Sequence, residues 1–191
     1  MNRSRIAQLL LVLLVLSGVY YGYQSFQTGT TSTTSAPNIF PTPEFAADSA
    51  YAHIAKQVAF GPRVPNSSAQ KQCAEWIVSK MKSYGLQVST QPFKANRYDG
   101  KKLNGTNIIA SFNPAATKRI LIAAHWDSRS IADKDSVRKN EPIDAANDGA
   151  SGVGVMIELA RVLSQTKDKP AVGVDFVFFD LEDHGEPHDM E

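Results

Sequence analysis

The run Val172-Gly173-Val174-Asp175-Phe176-Val177-Phe178-Phe179 leads straight into Asp180-Leu181-Glu182-Asp183. An apolar stretch of this length, rich in β-branched and aromatic residues, reads as a strand buried in a sheet. A second run, Arg119-Ile120-Leu121-Ile122-Ala123-Ala124-His125, is apolar on both faces and reads as another central strand, covered on both sides. It delivers Trp126-Asp127-Ser128 beyond its end. Between the two runs lies Ile143-Asp144-Ala145-Ala146-Asn147-Asp148-Gly149-Ala150-Ser151-Gly152, then Val153, Met156, Ile157, Ala160 and Leu163 at helical spacing. Strand, helix and strand in this order predict an α/β fold. Ligands of open α/β sheets bind beyond the carboxyl ends of the strands. His125, Asp127, Glu182 and Asp183 all fall there, and Asp148 falls at the start of the intervening helix.

Upstream, Ala47, Tyr51, Ile54, Ala55 and Val58 recur at helical spacing and predict a helix ending before Gly61-Pro62. The turn-rich loop Phe60-Gly61-Pro62-Arg63-Val64-Pro65-Asn66-Ser67 follows, with Arg63 read as an ion-pair partner. Ser67-Ser68-Ala69-Gln70 has the form of a capping box, with Gln70 reaching back. Behind it, Cys73, Trp76, Ile77, Met81 and Tyr84 trace one helical face, and Gly85 ends it. Cys73 is the sole cysteine, which excludes an internal disulfide and reads as core. Leu86 to Phe93 alternates as a half-buried strand with a break at Pro92. Tyr98 to Lys101 forms a turn, and Thr106 to Phe112 a second strand. The mixed charges from Ser130 to Glu141 fit a solvated loop, or one that walls an active site.

The chain has 191 residues, 42% of them hydrophobic, and a net charge of +1. This bounds it to one domain with a tail and points to no nucleic-acid partner. Arg3 and Arg5 precede an apolar run from 6 to 21, and Tyr20, Tyr21 and Tyr23 suit a membrane interface. No small-x-small cleavage signal follows. Residues 1–23 read as an uncleaved membrane anchor, or alternatively a cleaved signal peptide. Residues 24–43 form a Thr/Ser/Pro linker, and residues 44–191 are the folded domain. Either reading of 1–23 places that domain on the extracytoplasmic (periplasmic) side, anchored or secreted.

Carboxylates set the chemistry. Asp148 and Asp183 are credible oxygen ligands for zinc, though Asp148 is also placed to cap the next helix. The acids Glu182-Asp183 can split roles, one binding metal while the other stays free to move protons. A solvated loop pair is the plainer reading. Asp127 could orient the His125 ring, and Asp144 could support the ligands from behind. His184 and His188 follow on a loop of unknown course.

The set His125-Trp126-Asp127-Ser128, Ala146-Asn147-Asp148-Gly149-Ala150-Ser151-Gly152 and Phe178-Phe179-Asp180-Leu181-Glu182-Asp183 resembles the zinc aminopeptidase-like superfamily. Within it the match is to the animal-type (type II) glutaminyl cyclases and their bacterial relatives. Phe60 to Ser67 and Asn107-Ile108-Ile109-Ala110 agree. The resemblance implies a three-layer sandwich with a mixed central sheet, incomplete here at its C-terminus. It implies one zinc held by Asp148, Asp183 and a later His, with Glu182 as acid/base, acting on N-terminal glutamine of peptides or proteins to give pyroglutamate and ammonia. The peptidases of the superfamily instead use two zincs, with the His125 position as a ligand. Two alternatives therefore stand beside the cyclase: a zinc aminopeptidase and a non-catalytic exported binding domain. The family's third ligand has no counterpart in the chain. The expectation is that the chain by itself is inactive or barely stable, and that a longer parent is the enzyme.

Overall fold

In the computed structural model, Ser17, Tyr20 and residues 43–186 are described. The expected anchor and linker, and His188, lie outside these residues apart from those two and Pro43. Among the described residues no helix is long and apolar enough to cross a membrane.

Helix α1 spans Ala47–Val58 and helix α2 Ser68–Ser83. Strands β1 (Gln87–Asn96) and β2 (Lys102–Phe112) form an antiparallel hairpin. Strand β3 (Arg119–His125), helix α3 (Ala150–Gln165) and strand β4 (Gly173–Phe179) complete the order. The sheet runs β1-β2-β4-β3, with β2 antiparallel and β3 parallel to β4. This is the mixed α/β sheet expected from the sequence.

The local signals explain the elements. Ser67 caps α2 by accepting from the Gln70 main-chain N–H at 3.1 Å. Gln70 Oε1 reaches back one residue further than expected, accepting from the Asn66 N–H at 2.7 Å. Strand β1 runs through Pro92 instead of breaking there, because among the described residues β1 is an edge strand, and an edge tolerates a missing N–H.

Alternation along the strands fixes where the core lies. Ile108, Ala110 and Phe112 of β2 pair in register with Phe178, Phe176 and Val174 of β4. All six are buried, together with Cys73, Ile77 and Met81 of α2 and Val153, Met156, Ile157 and Ala160 of α3. Both helices therefore pack on the same face of the sheet. Helix α1 packs on α3, where a Cβ at Gly154 would stand 2.8 Å from the Ala50 carbonyl oxygen. The buried Glu158 carboxylate pairs with Arg161 and accepts from the Ala46 N–H at 2.8 Å, fixing the start of α1.

Strand β3 departs from its expected place. Among the described residues it is an edge strand, and β2 and β4 are the central ones. Ile122 and Ala124 face the core, but Leu121 on the opposite face is 65% exposed. Apolarity on both faces could not by itself tell a covered strand from one with a bare side.

Two truncations separate these environments. Ile108→Ala should lower the unfolding free energy by about 2–5 kcal/mol, through lost burial and the cavity left behind. Leu121→Ala should stay within about 0.5 kcal/mol of the parent, as exposed substitutions do. Urea unfolding measures both, and a large loss at Leu121 would show that its face is covered.

Candidate metal centre and acid pair

Parallel pairing sets His125 opposite Phe179, so β3 and β4 end together. The Trp126 N–H donates to the Phe179 carbonyl at 2.9 Å, extending the register one residue past the strand. Trp126 is buried and anchors this end, with its indole N–H donating to the Thr106 carbonyl. Both chains then leave the sheet side by side.

Asp127 is fully buried, at 0% exposure. Its Oδ1 accepts from the Glu182 main-chain N–H at 3.3 Å and its Oδ2 from that of Asp183 at 3.2 Å. One carboxylate thus holds the backbone of both neighbouring acids. The sequence suggested an orienting role towards His125; the hydrogen bonds of Asp127 go instead to these two backbone N–H groups. His125 Nδ1 lies 3.4 Å from Asp127 Oδ1, close enough for charge attraction but without hydrogen-bond geometry. His184, nearly buried, brings its Nε2 to 3.4 Å from Asp127 Oδ2. Burial lowers the His184 pKa against the pull of Asp127.

Asp148 reaches the same place from the turn before α3. Its Oδ1 lies 2.9 Å from His125 Nε2, and its side chain is 64% exposed. The turn is tight: Gly149 has φ +89°, and a Cβ there would meet His125 Cε1 at 3.0 Å. Asp148 does not itself cap α3, whose N-cap residue is Gly149.

The adjacent acids differ in their surroundings. Glu182 is 63% exposed, and its Oε2 approaches His125 Nδ1 only to 3.8 Å. Asp183 is half-buried, with Arg129 Nη1 at 3.1 Å from its carbonyl and 3.4 Å from its Oδ1. Its Oδ2 is buried with no hydrogen-bond partner among the described residues. Burial raises the Asp183 pKa, and the Asp148 charge raises it further. A buried carboxylate oxygen that also feels the charge of a second carboxylate is an arrangement that a cation would relieve. Asp148 and Asp183 therefore fit zinc as two members of a donor set. Among the described residues no group of three or more His, Cys, Asp or Glu gathers around one point.

Asp148, Glu182 and Asp183 line a cleft of about 630 Å³ together with Arg129, Asp133 and Ile143. Residues 131–135 of the loop after β3 line one side of it, as expected of a loop that walls a site. Arg129 also pairs with Asp133, holding the loop's first turn. Asp144 stands one step back and enters through its main-chain carbonyl, which accepts from Arg63 Nη1 at 2.8 Å. Arg63 is not the ion-pair residue expected: its hydrogen bonds go to the carbonyls of Trp126, Asp144 and Ala145.

Sequence reasoning also passed over Asp180. This buried carboxylate accepts from Gln70 Nε2 and from the Thr106 and Leu181 N–H groups. It ties α2 and β2 to the turn that presents Glu182. Burial pushes its pKa up to about 6. Arg129, directly after the His125–Ser128 segment, could have been found from its place in the chain; Asp180 and Arg63 carried no local signal.

The Asp127 carboxylate, followed by Asp148 and Glu182, raises the His125 pKa to about 9. The imidazolium is favoured in the folded metal-free protein. That contribution is complete below the unfolded value near 6.5 and fades as pH rises through about 9. An NMR titration of the His125 ring should show a midpoint near 9, lowered by Asp148→Asn. A midpoint at or below 6.5 would contradict the charge arrangement.

Residues 107–186 match the family described as Peptidase family M28. Among solved structures, the chain is similar to Tannerella forsythia glutaminyl cyclase, at 46% identity and a TM-score of 0.73, covering 78% of this chain and 51% of that one. It is equally similar to a Zn-dependent exopeptidase from Parabacteroides distasonis, at 47% identity and a TM-score of 0.74, covering 79% and 52%. A curated relative, the alkaline phosphatase isozyme conversion protein of Escherichia coli, is 28% identical over 76% of this chain and 44% of its own length. The chain thus spans about half the length of these proteins. In fold, and in sequence over residues 107–186, the chain is similar to zinc-dependent exopeptidases and glutaminyl cyclases of this kind.

Proposed function

We propose that this chain carries the metal-binding carboxylates and the acid/base residue of a zinc-dependent glutaminyl-peptide cyclotransferase. One observation carries the reading. Two adjacent acids are held by a single buried carboxylate yet face different surroundings: Asp183 is half-buried beside Arg129, while Glu182 is 63% exposed and comes only to 3.8 Å from the His125 ring. A metal ligand needs the first environment and a proton carrier the second. The likeness to bacterial glutaminyl cyclases supports the choice of reaction.

Asp148 and Asp183 would hold one zinc, which when bound supplies Lewis-acid polarisation of the substrate's side-chain amide carbonyl. The chain's own part is proton transfer and orientation. The α-amine nitrogen of an N-terminal glutamine bonds to its δ-carbonyl carbon, and the bond to the amide nitrogen breaks. Glu182 accepts one proton from the α-amine and returns it to the departing nitrogen, which leaves as ammonia. The lactam retains the other amine hydrogen, so the atoms balance. Asp127 keeps Glu182 in place through the main chain. The acidic cleft attracts the N-terminus of a peptide or protein substrate, which attacks as the neutral amine.

A zinc aminopeptidase is the second reading, supported by the likeness to the Parabacteroides exopeptidase. It would require two zincs and His125 as a ligand. Arg3 and Arg5 before the apolar run support an exported, membrane-anchored domain; fractionation that finds the protein in the cytoplasm would contradict this.

Given a glutamine-starting peptide and an aminoacyl amide in parallel, a longer parent protein carrying this chain should, with zinc, release ammonia from the first by cyclisation and leave the second intact, while the chain by itself should turn over neither. Hydrolysis with about two zincs per chain would overturn the choice of reaction. Glu182→Gln should lower turnover by about 10²–10⁴-fold while zinc content is kept. Retained turnover would remove Glu182 from the acid/base role.

A further inference from the structure

Arg63 is fully buried, and it joins three segments that are far apart in sequence. Its Nε donates to the Trp126 carbonyl at 2.9 Å, its Nη1 to that of Asp144 at 2.8 Å and its Nη2 to that of Ala145 at 2.9 Å. Its own carbonyl accepts from the Ser128 N–H at 3.3 Å. The planar fork thus clamps the segment that carries His125 and Asp127 against the turn that carries Asp148.

That turn is conformationally expensive. Ala145 lies in the left-handed region at φ 49°, and Gly149 follows at φ 89°. An alanine stays there only when its surroundings over-determine it. The Ala145 carbonyl accepts both from Arg63 Nη2 and from the Ala150 N–H at 3.3 Å, the residue that opens α3. Burying a guanidinium on main-chain carbonyls alone is a costly way to gain stability. The pattern makes sense as a device that fixes a strained turn.

We propose that Arg63 is the positioning residue of the metal centre: it holds Ala145 in its left-handed conformation and so sets how Asp148 is presented beside Asp183. This rests on the zinc reading above, and it adds a residue that touches neither metal nor substrate.

The test compares the parent chain with Arg63→Gln and Arg63→Lys by hydrogen exchange and by zinc titration against a chelating dye. In Arg63→Gln, exchange should speed up selectively at residues 145–150, with the amides of β2 and β4 little changed. The zinc dissociation constant should rise by about tenfold or more, as when residues behind metal ligands are lost. Lysine, able to reach fewer of the three carbonyls, should give an intermediate result, and it serves if the glutamine variant does not fold. Adding Ala145→Gly to Arg63→Gln should recover part of the affinity, because glycine adopts positive φ without strain. A control, Ile77→Val, should lose stability with both readouts unchanged.

Exchange that rises evenly through the turn, β2 and β4 would overturn the proposal, making Arg63 simply structural. So would a loosened turn with zinc affinity kept. If the parent chain itself takes up no zinc, the zinc reading falls, and the exchange pattern alone decides whether Arg63 fixes the turn.

Discussion

The parallel pairing of β3 with β4 sets His125 beside Phe179 and sends both chains off the sheet at the same edge. Two strands joined through a helix must run parallel to end together, and only then can residues 127 and 182 meet. Once they do, the buried Asp127 carboxylate can accept both the Glu182 and Asp183 N–H groups. The loop after β4 is therefore held by a charge delivered from the end of β3. Asp148 joins from the turn before α3, whose first residues pack so close to β3 that a Cβ at Gly152 would stand 2.8 Å from Ala124 Cβ.

This arrangement explains how neighbouring acids acquire different chemistry. Asp127 holds the backbone of both Glu182 and Asp183, and their side chains meet different surroundings. Asp183 turns inward, where burial and the Asp148 charge raise its pKa and Oδ2 has no hydrogen-bond partner among the described residues. Glu182 turns out into the cleft. Arg129 offsets part of the negative charge at Asp183 through one long contact. The site combines desolvation with like charge, as places built to bind a cation or move a proton do.

Much of this was legible in the sequence. Both parallel strands and the residues His125, Asp127, Glu182 and Asp183 followed from apolar runs that end in polar groups, and Asp148 from its place at the start of the helix between them. The hidden parts depend on long-range contacts. Asp180 bonds Gln70 across 110 positions, and Arg63 bonds Ala145 across 82, so neither leaves a local pattern. Arg63 reads as an ion-pair arginine because main-chain carbonyl acceptors cannot be seen in a list of side chains. The edge position of β3 was hidden for a related reason: its run is apolar on both faces, whichever of them is covered.

The central claim is that Asp148 and Asp183 hold a metal while Glu182 stays off it. Diffraction at the zinc edge from zinc-soaked crystals tests this most directly. The account predicts one anomalous peak within about 2.0–2.2 Å of carboxylate oxygens of Asp148 and Asp183, with Glu182 outside the coordination sphere. A peak bound by Glu182, or a second peak on His125, would contradict it.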